Sequence, residues 1–304
     1  MLLWAYKIIG RDAEMRTWGA AKHGQGVMRV GLWGRLSVVA LFLLCCAGAA
    51  RADTTFLKVC EQGSTADVER ALNGGADPNL RAPNGMTALM VAAAKNSSPQ
   101  VLSLLLKRGA DVNAVAEKGI TALFLAAVMQ RDPRYVTLLL EAGADPNASV
   151  GVDEELSPVS VLLGALLKNG EPAVVRALLN AGASPNAVVR MPVELSKVES
   201  LKELKLKGAV TVSMTALMLA ASTPSQLETV TDLIRAGARV DAQNELGMTA
   251  LSCAALRSKS PAMVEVLLDA GADPRIKDRF GQTPLDYAKE IPSLKRVLKR
   301  LHSR

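Results

Sequence analysis

Residues 104–113 read Leu-Leu-Leu-Lys-Arg-Gly-Ala-Asp-Val-Asn, and variants of the Gly-Ala-Asp part recur along the chain at nearly constant spacing. Successive glycines of this motif lie 34, 34, 39, 55 and 34 residues apart. The six copies are Gly75–Asn79, Gly109–Asn113, Gly143–Asn147, Gly182–Asn186, Gly237–Asp241 and Gly271–Arg275. A fixed period of about 33 residues is typical of a solenoid built by stacking similar units.

A second motif, Thr-Ala-Leu or a close variant, begins 22 residues before five of these glycines. Its copies begin at Thr87, Thr121, Ser160, Thr215 and Thr249, and a last one begins at Thr283. The two motifs in register resemble the ankyrin family, and the resemblance covers residues 53–304. It implies an all-α solenoid of helix–turn–helix units with projecting β-hairpin fingers.

The residue pattern within one unit, residues 85–118, agrees with that fold. Thr87 is suited to cap an inner helix, because its hydroxyl can accept a backbone N–H of the first turn. Ser98 can cap an outer helix that has Pro99 at its first position, where a missing N–H costs nothing. Gly109 follows the last turn, where a left-handed residue ends the helix.

The period divides the ankyrin-like region into repeats, including one shortened unit. The predicted units are 54–84, 85–118, 119–155, 156–189, a degenerate 190–212, 213–246, 247–280 and a cap over 281–304. No repeat keeps the histidine of the family's Thr-Pro-Leu-His tetrapeptide, so apolar packing must replace its hydrogen bonds in several repeats. The residues at that position are Met90, Phe124, Leu163, Met218, Ser252 and Asp286.

The longer break in the period adds 21 residues between Val188 and Gly208. Ser196 and Glu199 are spaced as a helix capping box, and apolar residues follow at helical spacing. The stretch from Pro192 also echoes the chain from Pro284. These patterns favour a shortened, degenerate repeat that bends or notches the solenoid, with an irregular insertion as the alternative.

The first 52 residues lie outside the repeats and contain a predicted targeting segment. Residues 1–27 have no signal character, which favours translation from Met28. Residues 28–52 combine a basic start, an apolar run over 36–47 and an Ala-x-Ala site, as a signal peptide does. Cleavage is expected between Ala52 and Asp53, and an uncleaved leader acting as an anchor is the alternative.

Composition argues against catalysis and against a charge-driven partner. The formal net charge is +7, but residues 1–52 hold seven Lys/Arg against two Asp/Glu, which leaves 53–304 nearly neutral. Both histidines, His23 and His302, lie outside the regular repeats. We therefore expect no catalytic site, no metal or other cofactor and no nucleic-acid partner. We expect Cys60 and Cys253 to be buried core residues that form no disulfide.

The resemblance and these exclusions predict a non-enzymatic protein that binds another protein through its fingers and concave face. We expect a monomer located in the periplasm or secreted, with no stable membrane insertion after signal cleavage. A secreted effector or inhibitor, or an envelope protein held by its leader, is the alternative. The predicted contact positions are Arg81, Asn84, Glu117, Lys118, Asp153, Glu154, Asn244, Glu245, Asp278 and Arg279.

Overall fold

The computed structural model describes residues 54–151, 158–168, 170–194, 209–258 and 260–289, together with Leu294 and Val297. The chain divides into two compact units. The repeats belong to the unit that includes 54–192 and 211–289, and residues 193–194 and 209–210 are assigned to the other unit. The predicted signal peptide and its cleavage site lie outside the described residues.

The described part of the repeat unit is built from short helices, and inner and outer helices alternate along the chain. In chain order they are α1 Thr54–Gln62, α2 Thr65–Asn73, α3 Ala88–Lys95, α4 Pro99–Lys107, α5 Ala122–Met129, α6 Pro133–Glu141, α7 Val161–Lys168, α8 Pro172–Asn180, α9 Ala216–Ala221, α10 Leu227–Arg235, α11 Ala250–Cys253, α12 Pro261–Asp269 and α13 Pro284–Lys289. Helix α11 continues as a π-helical turn over Ala254–Ser258. Single 3₁₀ turns lie at Glu117–Gly119 and Pro224–Gln226.

The helices form two layers, with the odd-numbered inner helices in one and the even-numbered outer helices in the other. Each inner helix packs against the next, from α1 on α3 to α11 on α13. The outer helices do the same from α2 on α4 to α10 on α12. Because the apolar face of each repeat is buried by its neighbours, one core runs through the stack. The predicted all-α ankyrin solenoid is confirmed.

Small alanines on the inner helices allow this close stacking. Ala92, Ala93 and Ala126 are fully buried where α3 and α5 meet. The residues at the family's histidine position are buried as well, with Met90 and Leu163 at 0% exposure and Phe124 at 4%. Apolar packing therefore replaces a hydrogen-bonded histidine in these repeats, as predicted.

Hydroxyl side chains begin six of the inner helices. Each hydroxyl oxygen accepts the backbone N–H three residues later, at 3.1 to 3.4 Å. The six residues are Thr87, Thr121, Ser160, Thr215, Thr249 and Thr283. The capping role predicted for Thr87 is thus confirmed and recurs in every later repeat.

The outer helix of the second repeat begins as expected, with one correction. Pro99 occupies the first turn of α4 and Ser98 precedes it, but the Ser98 hydroxyl makes no capping bond. It donates instead to Gln100 Oε1 at 2.6 Å, and Asn96 Oδ1 accepts the Ser98 N–H at 2.8 Å. Because proline has no N–H, this turn has fewer donors for a cap to satisfy.

Glycine ends the same outer helix because the chain must enter the left-handed region there. Gly109 has a φ of 86°, and the Ala110 N–H reaches back to the Leu105 carbonyl at 3.0 Å. This arrangement satisfies carbonyl groups at the end of α4 that no helical N–H can reach. The prediction for Gly109 is confirmed.

Asparagines at the end of the Gly-Ala-Asp motifs tie each repeat to the next. Asn113 Nδ2 donates to the Gly143 carbonyl at 2.9 Å, and Asn113 Oδ1 accepts the Asp145 N–H at 2.9 Å. Asn79, Asn147 and Asn186 make the same pair of bonds to the following repeat. We call this series of side-chain bridges the asparagine ladder.

The ladder changes chemistry at its last described step. Asp241 stands where the earlier repeats have asparagine, and its Oδ1 accepts the Asp273 N–H at 3.0 Å. A carboxylate has no N–H, so it cannot donate to the Gly271 carbonyl as an asparagine would. The junction between the repeats over 213–246 and 247–280 therefore has one bridging bond of the usual two.

The longer break in the period begins with one strand and ends with another. Strand β3 covers Val188–Glu194 and strand β4 covers Ala209–Thr215, and the two form a two-stranded sheet. Apolar residues alternate with period two in both strands, as is typical of a strand with one buried face. The degenerate repeat over 190–212 stays a prediction. The capping box predicted at Ser196 and Glu199 and the apolar residues that follow it lie outside the described residues.

The repeats on either side of this break stack directly on each other. Helix α7 contacts α9, and helix α8 contacts α10. The Ala216 N–H also bonds to the Ala187 carbonyl at 3.1 Å, as Val161 N–H does to Ala148 one repeat earlier. Strands β3 and β4 therefore form an elongated finger, and the repeats on either side of it remain in direct contact.

The shorter break also falls in a finger. Strands β1, Ser149–Val150, and β2, Val159–Ser160, pair antiparallel with Val150 opposite Val159. Both valines are buried, at 1% and 3% exposure. The shorter break thus contains a short β-ladder, and residues 152–157 between its strands lie outside the described part.

We expect Asn113→Asp to destabilise the protein. Aspartate keeps an acceptor for the Asp145 N–H but cannot donate to the Gly143 carbonyl. A single net hydrogen bond is worth about 0.5–1.5 kcal/mol, which is the expected loss in the free energy of unfolding. Equilibrium urea unfolding followed by circular dichroism measures it, and an unchanged midpoint would contradict the assignment.

Asp241→Asn is the reciprocal change at the weak junction. It should restore the missing donor to the Gly271 carbonyl and raise the free energy of unfolding by about 0.5–1.5 kcal/mol. The same urea titration checks it. Asn73→Asp, at an exposed asparagine that ends helix α2 outside the ladder, is a control expected to change stability less.

Candidate protein-binding surface

The fingers are the loops between one Gly-Ala-Asp motif and the next Thr-Ala-Leu motif. We number them as finger 1 (80–86), finger 2 (114–120), finger 3 (148–159), finger 5 (242–248) and finger 6 (276–282). The elongated finger between repeats four and five is the arm. Its arm base is residues 188–192 and 211–215, which belong to the repeat unit.

Backbone hydrogen bonds join neighbouring fingers edge to edge. The Glu117 N–H bonds to the Asn84 carbonyl at 3.3 Å, which joins finger 2 to finger 1. The Gly151 N–H bonds to the Lys118 carbonyl at 2.7 Å, which joins finger 3 to finger 2. These bonds fix the fingers in register, so side chains at their tips have defined neighbours.

Finger 1 adds a side-chain bond to this connection. Arg81 is exposed, and its Nη1 donates to the Val115 carbonyl of finger 2 at 3.0 Å. The Val115 side chain itself is 52% exposed, which is unusual for a large apolar residue in the described part of the chain. A guanidinium beside an exposed valine is suited to contact with another protein.

Finger 2 presents a pair of opposite charges at a tight turn. Glu117 and Lys118 are both exposed. Lys118 has a φ of 60°, the left-handed region that side chains rarely adopt, and Gly119 follows at 84°. Two successive positive φ values turn the chain sharply and project both charged side chains from the finger.

Finger 5 contains two predicted contact positions with different environments. The Asn244 Oδ1 accepts the N–H groups of Leu246 and Met248, each at 3.0 Å, so its carbonyl oxygen shapes the turn. Glu245 is exposed, and its carboxylate binds Ser213 of the arm base. Hydrogen bonds from Ser213 hold the pKa of the Glu245 carboxyl below its usual range.

Finger 6 corrects one predicted contact position. Asp278 is only 7% exposed, and its Oδ1 accepts the N–H groups of Phe280 and Gln282 at 2.9 Å. The Tyr287 hydroxyl donates to its other oxygen, Oδ2. Burial raises the pKa of Tyr287 well above its ordinary value, and the hydrogen bond to Asp278 makes a smaller contribution in the same direction. Asp278 is thus an internal turn residue, whereas its neighbour Arg279 is exposed.

The remaining predicted positions divide by what the structure describes. Asn84 is half-buried, and its Oδ1 accepts the Met86 N–H at 3.2 Å. Asp153 and Glu154 lie outside the described residues. The structure therefore brings Arg81, Glu117 and Lys118 together on joined fingers, and it places Glu245 and Arg279 on the later pair.

The inner helices contribute apolar area to the same stack. Four half-buried apolar residues lie on successive inner helices and pack at the border of the core. They are Val91 on α3, Met129 on α5, Leu167 on α7 and Leu219 on α9. We call these four residues the inner-helix strip. Half-buried apolar residues and polar finger tips are the two components of a protein interface, which has an apolar centre and a polar rim.

The ionisable groups of the described residues offer little chemistry. Burial raises the pKa of the Cys60 thiol to about 12 and that of Cys253 to about 11, so both stay protonated at neutral pH. Both thiols are buried, as predicted. Within the described ranges no group of His, Cys, Asp and Glu is placed to hold a metal ion. No helix among those residues is both long and apolar enough to cross a bilayer.

Sequence reasoning missed two features of this surface. One is the 42% exposure of Val188 at the start of β3. The other is the contact between Ser213 and Glu245, which lie 32 residues apart. The alternation over 188–191 and 210–214 is a strand signal that could have identified the arm base, whereas the Glu245 contact depends on tertiary structure.

Comparison with known families agrees with this architecture. A profile described as ankyrin repeats (3 copies) matches residues 56–150, one described as ankyrin repeat matches 213–245, and one described as ankyrin repeats (many copies) matches 233–288. The chain belongs to the ankyrin-repeat family. Ankyrin-repeat domains are non-catalytic modules for protein–protein interaction.

Solved structures of ankyrin-repeat domains are similar over most of the chain. The human ASB11 ankyrin repeat domain matches with a TM-score of 0.61 and 23% identity, over 83% of this chain and 98% of that one. The ankyrin repeat domain of Bcl-3, described as a unique member of the IkappaB family, matches with a TM-score of 0.59 and 25% identity. That match covers 83% of this chain and 99% of the other.

We expect Tyr287→Phe to loosen the contact between finger 6 and helix α13. The change leaves Asp278 Oδ2 without its hydroxyl donor at a site only 7% exposed. Leaving a buried acceptor unsatisfied costs about 1–3 kcal/mol, which is the expected loss in the free energy of unfolding. Urea unfolding measures it. Tyr135→Phe, which removes a bond to the neutral Asn96 carbonyl, should cost less.

Proposed function

We propose that this protein is an exported scaffold that binds another protein through its fingers and the adjoining inner-helix strip. The observation that carries the proposal is the register between fingers 1 and 2. The Glu117 N–H bond and the Arg81 side-chain bond hold charged tips beside an exposed valine. A surface of this kind needs little reordering to bind, which lowers the entropic cost of association.

The composition of the repeats favours a polar interface of modest affinity. Residues 53–304 contain no tryptophan, and their two tyrosines, Tyr135 and Tyr287, are 2% and 3% exposed. Tryptophan, tyrosine and arginine dominate the energetics of most interfaces. Arg81 and Arg279, both exposed on fingers, are therefore the anchors that we expect to matter most.

Export is supported by the sequence of the leader. Residues 28–52 combine basic, apolar and small-residue segments in the order of a secretory signal. We propose a periplasmic or secreted location for the repeats after cleavage before Asp53. A protein that acts outside the cell and one retained in the envelope share this leader, so fractionation must separate them.

We expect the full chain, carrying a C-terminal tag, to capture a protein partner from envelope or culture-supernatant fractions after cross-linking. A triple variant, Arg81→Ala with Glu117→Ala and Lys118→Ala, should reduce the captured amount at least about tenfold if fingers 1 and 2 supply the contacts. The matched control is Arg134→Ala, which removes an exposed arginine from outer helix α6.

The outcomes of this capture experiment distinguish the candidate surfaces. Loss of the partner with the triple variant alone supports the finger surface. Equal loss with Arg134→Ala points instead to the outer helices. Capture from the supernatant alone favours a factor that acts outside the cell. A partner retained equally by all variants contradicts the proposed contacts.

We expect the mature protein to begin at Asp53. N-terminal sequencing and intact mass of the protein isolated from cell fractions check this. Recovery of residues near Met1 would contradict translation from Met28. A mature chain that still contains residues 28–52 in the membrane fraction would support an envelope protein held by its leader.

A further inference from the structure

The arm base is a two-faced pair of strands. Val189 and Met191 of β3 and Val212 of β4 are buried, at 4%, 6% and 1% exposure. Val188 and Arg190, which alternate with them, are exposed. The arm base therefore packs one face against the protein and leaves the other face in solvent.

Among the described residues, strands β3 and β4 pair only with each other, which leaves an outer edge on each strand. Such edges attract other extended chains unless they are covered. On β4, the Ser213 N–H points to finger 5, where Glu245 Oε2 accepts it at 2.5 Å. Glu245 Oε1 also accepts the Ser213 hydroxyl at 2.6 Å. Both carboxylate oxygens are thus used on one residue of the strand.

Charge strengthens this contact. The Ser213 bonds, with a contribution from Arg190 on strand β3, hold the pKa of the Glu245 carboxyl below its ordinary range. The group is therefore ionised at neutral pH, and hydrogen bonds to an ionised acceptor are stronger than those between neutral groups. The neighbouring Asn244 Nδ2 lies 3.9 Å from Met214 Sδ, so finger 5 meets β4 at two successive residues.

Finger 2 provides an internal comparison. Glu117 occupies the same position in its finger as Glu245, two residues before the finger glycine. It is exposed, and among the described residues its carboxylate forms no hydrogen bond or ion pair. A glutamate at this position therefore does not by itself require a partner, and the contact of Glu245 depends on the arm.

We propose that Glu245 is a latch that fastens the arm base to finger 5 and covers the edge of strand β4 at Ser213. In the closed state the carboxylate takes the place that another strand's carbonyl would occupy. When it opens, the Ser213 N–H becomes available to solvent or to an added strand. Glu245 is thus a positioning residue for the arm base, and this role does not require the proposed partner.

Amide hydrogen exchange of the full chain, measured by NMR at neutral pH, tests the latch at a single residue. In Glu245→Ala we expect the Ser213 amide to exchange at least about tenfold faster, because its acceptor is gone and local opening no longer breaks a charged bond. Glu117→Ala is the matched control, and it should leave Ser213 exchange within about twofold of the native value.

Two further variants keep the result interpretable. Ser213→Ala removes only the hydroxyl bond and should give a smaller acceleration at residue 213. Glu245→Gln keeps an acceptor but removes the charge, so it should fall between native and Glu245→Ala. Thermal unfolding of each variant checks that the repeat core, to which Glu245 does not contribute, is intact.

Unchanged Ser213 exchange in a folded Glu245→Ala protein would overturn the latch. Equal acceleration in Glu117→Ala would also overturn it, because the effect would then come from general loosening of the fingers. Concentration-dependent self-association of Glu245→Ala alone, seen by sedimentation velocity, would support the role of Glu245 in covering the edge. The result does not depend on whether a partner is captured.

Discussion

Coupling between neighbouring repeats is the constraint on which this structure depends. A single helix pair buries too little apolar area to be stable alone, so each repeat needs the face of the next. Alanines on the inner helices allow the close approach, and the asparagine ladder fixes its register. In each bridge one side-chain amide makes two hydrogen bonds to the next repeat. That of Asn113 donates to the Gly143 carbonyl and accepts the Asp145 N–H.

The same coupling explains how the chain tolerates interruptions. Both breaks fall in fingers, and the helical layers on either side of the longer one remain in contact, as α7 on α9 and α8 on α10 show. Asn186 even spans the longer break, with bonds to Gly237 and Arg239. When a loop leaves the stack and returns to the same point, extra length costs little additional closure entropy. The stability of the core therefore depends only weakly on the length of such a loop.

The fingers combine internal structure with exposed chemistry, and the balance differs from one to the next. The Asp278 carboxylate accepts hydrogen bonds from its own turn and from Tyr287, whereas Glu117 and Lys118 are exposed to solvent. Glu245 lies between these cases, exposed yet engaged with Ser213. A polar residue at a finger tip is therefore a contact candidate only after its internal hydrogen bonds have been assigned.

The sequence alone determined the solenoid, its period, the Thr87 cap and the helix end at Gly109, because these depend on local backbone chemistry that recurs in every repeat. It did not predict the long strands over Val188–Glu194 and Ala209–Thr215, because a few alternating residues are a weak strand signal. Only tertiary structure decided that Asp278 is buried, that Asn79 bridges to the next repeat and that Glu245 meets Ser213. Those contacts join residues about 30 positions apart or turn a side chain inward, and neither result follows from local spacing.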